Sequence, residues 1–539
     1  MPQFPRRNIP RVVQLACGLA MSALAASPAG AQIKIESGLV AGLPADPTGV
    51  RAFLGIPYAA PPTGDRRWKA PQPVVSWAGV KQTVKFGPRA MQAPIYDDMI
   101  FRDEGSSEDC LYLNVWTPAP TAESTLPVMV WIHGGGYRAG AASEPRQDGS
   151  RLARKGVVVV SLNYRLGVFG FLAHPGLATE AETKATGNYG LLDQIAVLRW
   201  VRQNIAAFGG DPRNVTIFGE SAGSMSVGAL MVSPLARGLF HRAIGQSGAA
   251  VRADAYPTAR HFSRPQAEET GAKFAAAAGA KSIADLRAMP AADLLLLQEK
   301  DPAYHFGVVV DGAVLTEDPN ATFAAGRQSD VPLLAGWTAD EVRVYHTFGK
   351  NRPTAESFRA TVRDKHGAFA DALLKLYPAA TDQEAVRSAG DLADDLFLGF
   401  NTWKWLQLQA ATGRAPIYRY SFDPAVPIEP GRLINGAIAT AVDTGATHAS
   451  DIVYTFSAFD SAPQAPWRPA DRQLSEAMMT YWTNFARTGN PNGPGVPEWP
   501  RYESVGGFRV MHLATPLAVT PEANRNRYEF LDQSGLEGR

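Results

Sequence analysis

The chain has 539 residues, with 52 basic and 51 acidic side chains and a formal charge of +1. So even a balance excludes the broad basic surface that nucleic acid or an anionic membrane would require. Hydrophobic residues make up 45% and charged residues 19%, which is enough apolar material for a sizeable core and too little charge for a disordered chain.

The first 31 residues read as separate from the fold. Arg6, Arg7 and Arg11 precede an apolar run of small residues over 12–26, and Ala29, Gly30 and Ala31 supply the small side chains that signal peptidase prefers. Residues 1–31 are therefore expected to be a signal peptide, with Gln32 opening a secreted or periplasmic mature chain. The run is too short for a membrane anchor and is interrupted by Cys17 and Ser22. Residues 14–17 resemble a lipoprotein box only faintly, and Arg6 with Arg7 only part of a twin-arginine signal. Losing the leader removes three arginines and no acids, taking the charge from +1 to −2. One cysteine, Cys110, remains, so no internal disulfide is expected.

Length alone would suggest two or more domains. No repeat, low-complexity linker or charge block interrupts 32–539, so that span reads as one domain. Leu126–Ile132 and residues 156–162 are short, apolar and rich in β-branched side chains, as buried strands are. Residues 191–207 suit a helix packed on a sheet, with Leu192, Ile195, Leu198 and Ile205 among its apolar positions. Another strand is predicted over 214–218, and a helix over 225–230. This alternation predicts an α/β fold with a mostly parallel sheet covered on both faces. Residues 255–420 are richer in helical patterns and are expected to form a cap-like subdomain.

Two motifs carry chemistry. Gly219-Glu220-Ser221-Ala222-Gly223 fits a nucleophile elbow, a strained strand-to-helix turn whose glycines leave room for a crowded backbone. His133-Gly134-Gly135-Gly136 follows the strand Leu126–Ile132, where a glycine run can aim N–H groups at a developing oxyanion. Either alone is a weak signal, since five-residue matches and glycine triplets arise in loops. Their order, each after an apolar strand, is the arrangement of lipases and esterases.

These motifs and many stretches between them resemble the type-B carboxylesterase family, which includes cholinesterases and bacterial para-nitrobenzyl esterases. The matching stretches are FLGIPYAAPP at 53–62, EDCLYLNV at 108–115, NYRLGVFG at 163–170, GNYGLLDQ at 187–194 and FGGDP at 208–212. QSG at 246–248, WTNFA at 482–486 and GNP at 489–491 continue them. The resemblance covers essentially the whole of 32–539. It implies an α/β-hydrolase fold and an acyl-enzyme mechanism on small-molecule esters, with no cofactor or metal.

The resemblance also implies site residues. Of the nine histidines, it selects His448, in GATHASDIVYTF at 445–456, over the rival His346. It selects Glu341 rather than Asp340 as the acid that orients the base. Val342 stands where the family usually has glycine, which puts the geometry of that turn in question. Gly135, Gly136 and Ala222 are the implied oxyanion donors. Glu220 reads as a buried structural carboxylate and Ser247 as a hydrogen bonder near the acid. Arg66, Arg165, Asp109 and Asp193 read as internal ion-pair residues. Arg138, just past the glycines, is either a solvent-facing loop residue or a contact for a carboxylate on the substrate. Many relatives pair the cysteine of the Glu-Asp-Cys segment with another about twenty residues earlier. Here Ala90 stands at that place, so Cys110 is expected to be a buried free thiol. Two other readings stay open: a non-catalytic binding protein of the same family, or amide hydrolysis or transesterification at the same site.

Overall fold

The computed structural model describes residues 32–182, 185–251 and 262–535. The expected leader and its cleavage point lie outside them. Ten strands form the central sheet: β1 (Arg51–Pro57), β2 (Tyr112–Thr117), β3 (Leu126–Ile132), β4 (Val158–Leu162), β5 (Gly210–Glu220), β6 (Arg242–Gln246), β7 (Leu333–Thr338), β8 (Ile417–Phe422), β9 (Arg509–Leu513) and β10 (Ala518–Pro521). Their order across the sheet is β10-β9-β8-β7-β6-β5-β3-β4-β2-β1. From β9 to β4 every pairing is parallel; the edge pairings β10–β9, β4–β2 and β2–β1 are antiparallel.

The inner strands are apolar without alternation because both faces are covered. Along β3, Val128, Val130 and Ile132 enter one apolar cluster, while Met129 and Trp131 enter the other. Helix α1 (Tyr189–Asn204) occupies the predicted helical stretch and tightens into a 3-10 turn, Ile205–Phe208, that stops at Gly209 with φ 78°. Helix α2 (Ala222–Val232) follows β5 directly, starting earlier than the predicted 225–230. β5 likewise begins before the predicted 214–218, since Gly210, Asp211 and Pro212 carry turn chemistry that hides an irregular first pairing with β3.

Residues 264–300 hold three helices, but β7 within the same helix-rich stretch belongs to the central sheet. Beyond it lie helix α3 (Asp382–Asp394), a π turn at Asp395–Gly399 and helix α4 (Phe400–Thr412), continuous with one another. No helix among the described residues is long and apolar enough to cross a membrane.

The chain leaves β3 outward to β4 and returns on β3's other side as β5. The carboxyl ends of β3 and β5 thus flank a topological switch point, where open α/β sheets leave a crevice. The glycine run follows β3 there, and Ser221 follows β5.

Candidate active site

Ser221 sits between the last residue of β5 and the first of α2 with φ 55° and ψ −124°, a conformation costly for a non-glycine residue and typical of functional turns. The turn tolerates no bulk on either side. A Cβ on Gly219 would lie 2.6 Å from the Gly223 backbone, and one on Gly223 would run into the Ile132 carbonyl. Gly134 is equally hemmed in, since a Cβ there would meet the Glu220 carbonyl at 2.6 Å and Ser221 Cβ at 2.9 Å. The glycine loop therefore lies directly against the serine.

His448 Nε2 lies 3.0 Å from Ser221 Oγ, and His448 Nδ1 lies 2.6 Å from Glu341 Oε2. Glu341 is fully buried, and its Oε1 accepts the Thr338 N–H at 3.0 Å. Asp340 points elsewhere: its carboxylate accepts the Ala446 N–H at 2.9 Å and pairs with Arg343 at 2.8 Å. Val342 has φ −129°, ordinary for any residue, so the turn needs no glycine there and the departure from the family pattern leaves it intact. His346 occupies the short helix Arg343–Thr347 and makes no contact with the serine.

Ala222 N–H stands in the first turn of α2, where no intrahelical acceptor exists. Among the described residues, the N–H groups of Gly135 and Gly136 donate to no protein acceptor. His133, opening the loop, is buried, stacks on Tyr164 and is lowered by burial to about 4, so it stays neutral.

Glu220 is buried, as expected of a structural carboxylate, and it faces the histidine. Its Oε1 lies 3.3 Å from His448 Nε2, and burial, partly offset by His448, raises it to about 8. Behind it, Asp451 is fully buried and accepts from Gln246 and Tyr420, each at 2.9 Å. Burial lowers His448, but Glu220, Glu341 and Asp451 together outweigh that and raise it to about 9. Asp451 lay within the histidine motif, three positions on, so its nearness was readable. Phe397, whose ring meets the His448 ring edge-to-face at 5.2 Å, carried no local signal.

Of the other expectations, some hold and some are corrected. The buried arginine beside the Glu-Asp-Cys segment is Arg67, held by both oxygens of Glu108 at 2.6 Å; Arg66 is exposed. Asp109 forms no ion pair with an arginine among the described residues, whereas Arg165 and Asp193 form the expected buried pair at 2.7 Å. The Ser247 hydroxyl is buried without a hydrogen-bond partner and does not reach the acid. Arg138 donates to Glu299 at 2.6 Å, so its charge is already matched. Cys110 is a buried free thiol raised by burial, in a small cavity also lined by Ala90.

A glycine loop and a serine turn at the switch point of a mostly parallel sheet define an α/β-hydrolase. The chain belongs to the carboxylesterase family, whose model matches residues 29–531, and it is a carboxylic ester hydrolase. It is 37% identical over 501 residues to the para-nitrobenzyl esterase of Bacillus subtilis (strain 168), spanning 89% of this chain and 95% of that one. It is 36% identical over 486 residues to the fumonisin B1 esterase of Sphingopyxis macrogoltabida, spanning 87% and 84%. A solved thermophilic para-nitrobenzyl esterase superposes with a TM-score of 0.76 at 34% identity, over 93% of this chain and 99% of that one.

Proposed function

We propose that the protein is an exported serine esterase that works through an acyl-enzyme on Ser221. The observation that carries this reading is the continuous relay from Glu341 to His448 to Ser221, at 2.6 and 3.0 Å. His448 takes the serine proton while Oγ adds to the ester carbonyl, and the imidazolium formed is held by Glu341. Gly135, Gly136 and Ala222 donate to the oxyanion. His448 then protonates the departing alcohol, and water, deprotonated by the same base, releases the acid. Ester chemistry is favoured over a purely binding role because a serine, a histidine and a carboxylate stand within hydrogen-bond distance in that order.

The test is hydrolysis of p-nitrophenyl acetate by wild type and Ser221→Ala, with an organophosphonate label located by mass spectrometry. Ser221→Ala should lose on the order of 10⁴-fold or more in kcat, and the label should sit on Ser221. Retained activity, or a label elsewhere, sinks the assignment. Export rests on the sequence pattern of residues 1–31. Expressed as the full chain in a secreting host, the mature protein should begin at Gln32 by N-terminal sequencing; an intact Met1 on the folded enzyme would refute it.

A further inference from the structure

The peptide joining Glu341 to Val342 is a rigid plane that is gripped from both edges. Its carbonyl accepts the His448 backbone N–H at 2.9 Å and the Thr447 hydroxyl at 3.3 Å. Its N–H donates to Asp394 Oδ1 at 2.7 Å, across 52 positions of sequence. Among the described residues that N–H has no other acceptor. Asp394 closes the C-terminal end of α3 and is only 6% exposed. Its second oxygen lies 3.5 Å from the Arg343 guanidinium, which also holds Asp340 at 2.8 Å and Asp391 at 2.7 Å.

The same stretch of chain reaches the other two groups of the relay. The π turn brings Phe397 onto the His448 ring. One turn later the Thr402 hydroxyl accepts the Gly248 N–H at 3.0 Å, and Gly248 packs so closely on Ser221 that a Cβ there would lie 2.7 Å from the Ser221 carbonyl. A π turn inserts one extra residue into a helix, and such turns recur at functional sites. Here it lets one continuous helix deliver Asp394 to the acid and Phe397 to the base.

We infer that Asp394 is a positioning residue for the acid–base pair, acting through the 341–342 peptide. This rests on the assignment of Glu341 and His448 above. Without the Asp394 acceptor, the N–H edge of the peptide plane is released, and the plane can turn against the two hydrogen bonds that remain on its carbonyl. That turn displaces the Glu341 carbonyl and, through its hydrogen bond, the backbone of His448. Misplacement of about 1 Å in such a relay costs on the order of 10²-fold in rate.

The test compares kcat and KM on a p-nitrophenyl ester for wild type, Asp394→Ala, Asp394→Asn and Glu341→Gln. Asparagine keeps an oxygen at the acceptor position; alanine removes it. Asp394→Ala should lower kcat about 10- to 100-fold with KM within about twofold, and Asp394→Asn should restore most of it. Should the alanine variant not fold, Asp394→Ser, whose shorter side chain stops short of the N–H, should still show the kcat loss. Wild-type kcat in a folded alanine or serine variant overturns the inference, as does an asparagine variant no better than alanine. Glu341→Gln separates the two assignments. If it retains full activity, the acid itself is misassigned; if it is inactive while Asp394→Ala is not, only the role of Asp394 fails.

Discussion

Glu220 shows how one side chain's chemistry depends on neighbours far away in sequence. The sequence places it beside Ser221; only the fold puts its carboxylate 3.3 Å from His448 Nε2, with Glu341 on the opposite ring nitrogen. Burial alone would favour a neutral imidazole, yet the surrounding carboxylates raise it to about 9. Neutral His448 is the form that accepts the serine proton, so activity should rise with pH as His448 deprotonates. Because Glu220 and His448 sit in contact, the two titrate as a pair. Glu220→Gln removes the first of the charges that raise His448, and the acid limb of kcat/KM should move to lower pH by about one unit. An unmoved limb would show that Glu220 carries no charge in the active form. The resemblance singled out Ser221, His448 and Glu341, and the structure brings the three side chains within hydrogen-bond distance, one to the next. The one-residue error between Arg66 and Arg67 has a simple cause: adjacent arginines look alike in sequence, and only burial separates the one that binds Glu108 from the one that faces solvent.

At the scale of elements, the strand–turn–helix from β5 to α2 is the most sequence-encoded part of the site. Its glycines answer a local steric demand that any chain making this turn meets. Gly223→Ala would push a Cβ into the Ile132 carbonyl, and that carbonyl belongs to β3, which cannot shift without disturbing the sheet. We expect a loss of about 2 kcal/mol or more, read as a lower denaturant midpoint, together with impaired ester hydrolysis. A variant as stable and active as wild type would show that the turn is looser than described. Element boundaries were less legible. The strand Leu126–Ile132 is continuous in apolar residues and was readable to the residue. β5 was readable only from 214, because its first residues carry turn chemistry yet still pair irregularly with β3.

Across the whole molecule, long-range polar contacts hold the site's separate segments together. Arg67, besides its pair with Glu108, donates to the carbonyls of Leu286, Arg287 and Met289. It thereby ties the segment after β1 to helices more than two hundred positions on. Gln246 at the end of β6 links Asp451 to Trp482, joining the histidine region to a C-terminal helix behind the sheet. By itself the sequence determined the fold class, the serine turn, the glycine loop and the family, because each rests on local sterics or on periodicity within a single segment. Only the tertiary structure decided that Glu220 and Asp451 surround the histidine, that Val342 needs no glycine, that Arg138 is matched by Glu299, that Asp394 accepts the Val342 N–H and that Phe397 meets the His448 ring. Those contacts join residues far apart along the chain, and the electrostatics and packing that give them meaning exist only once the sheet has brought the segments within a few ångströms.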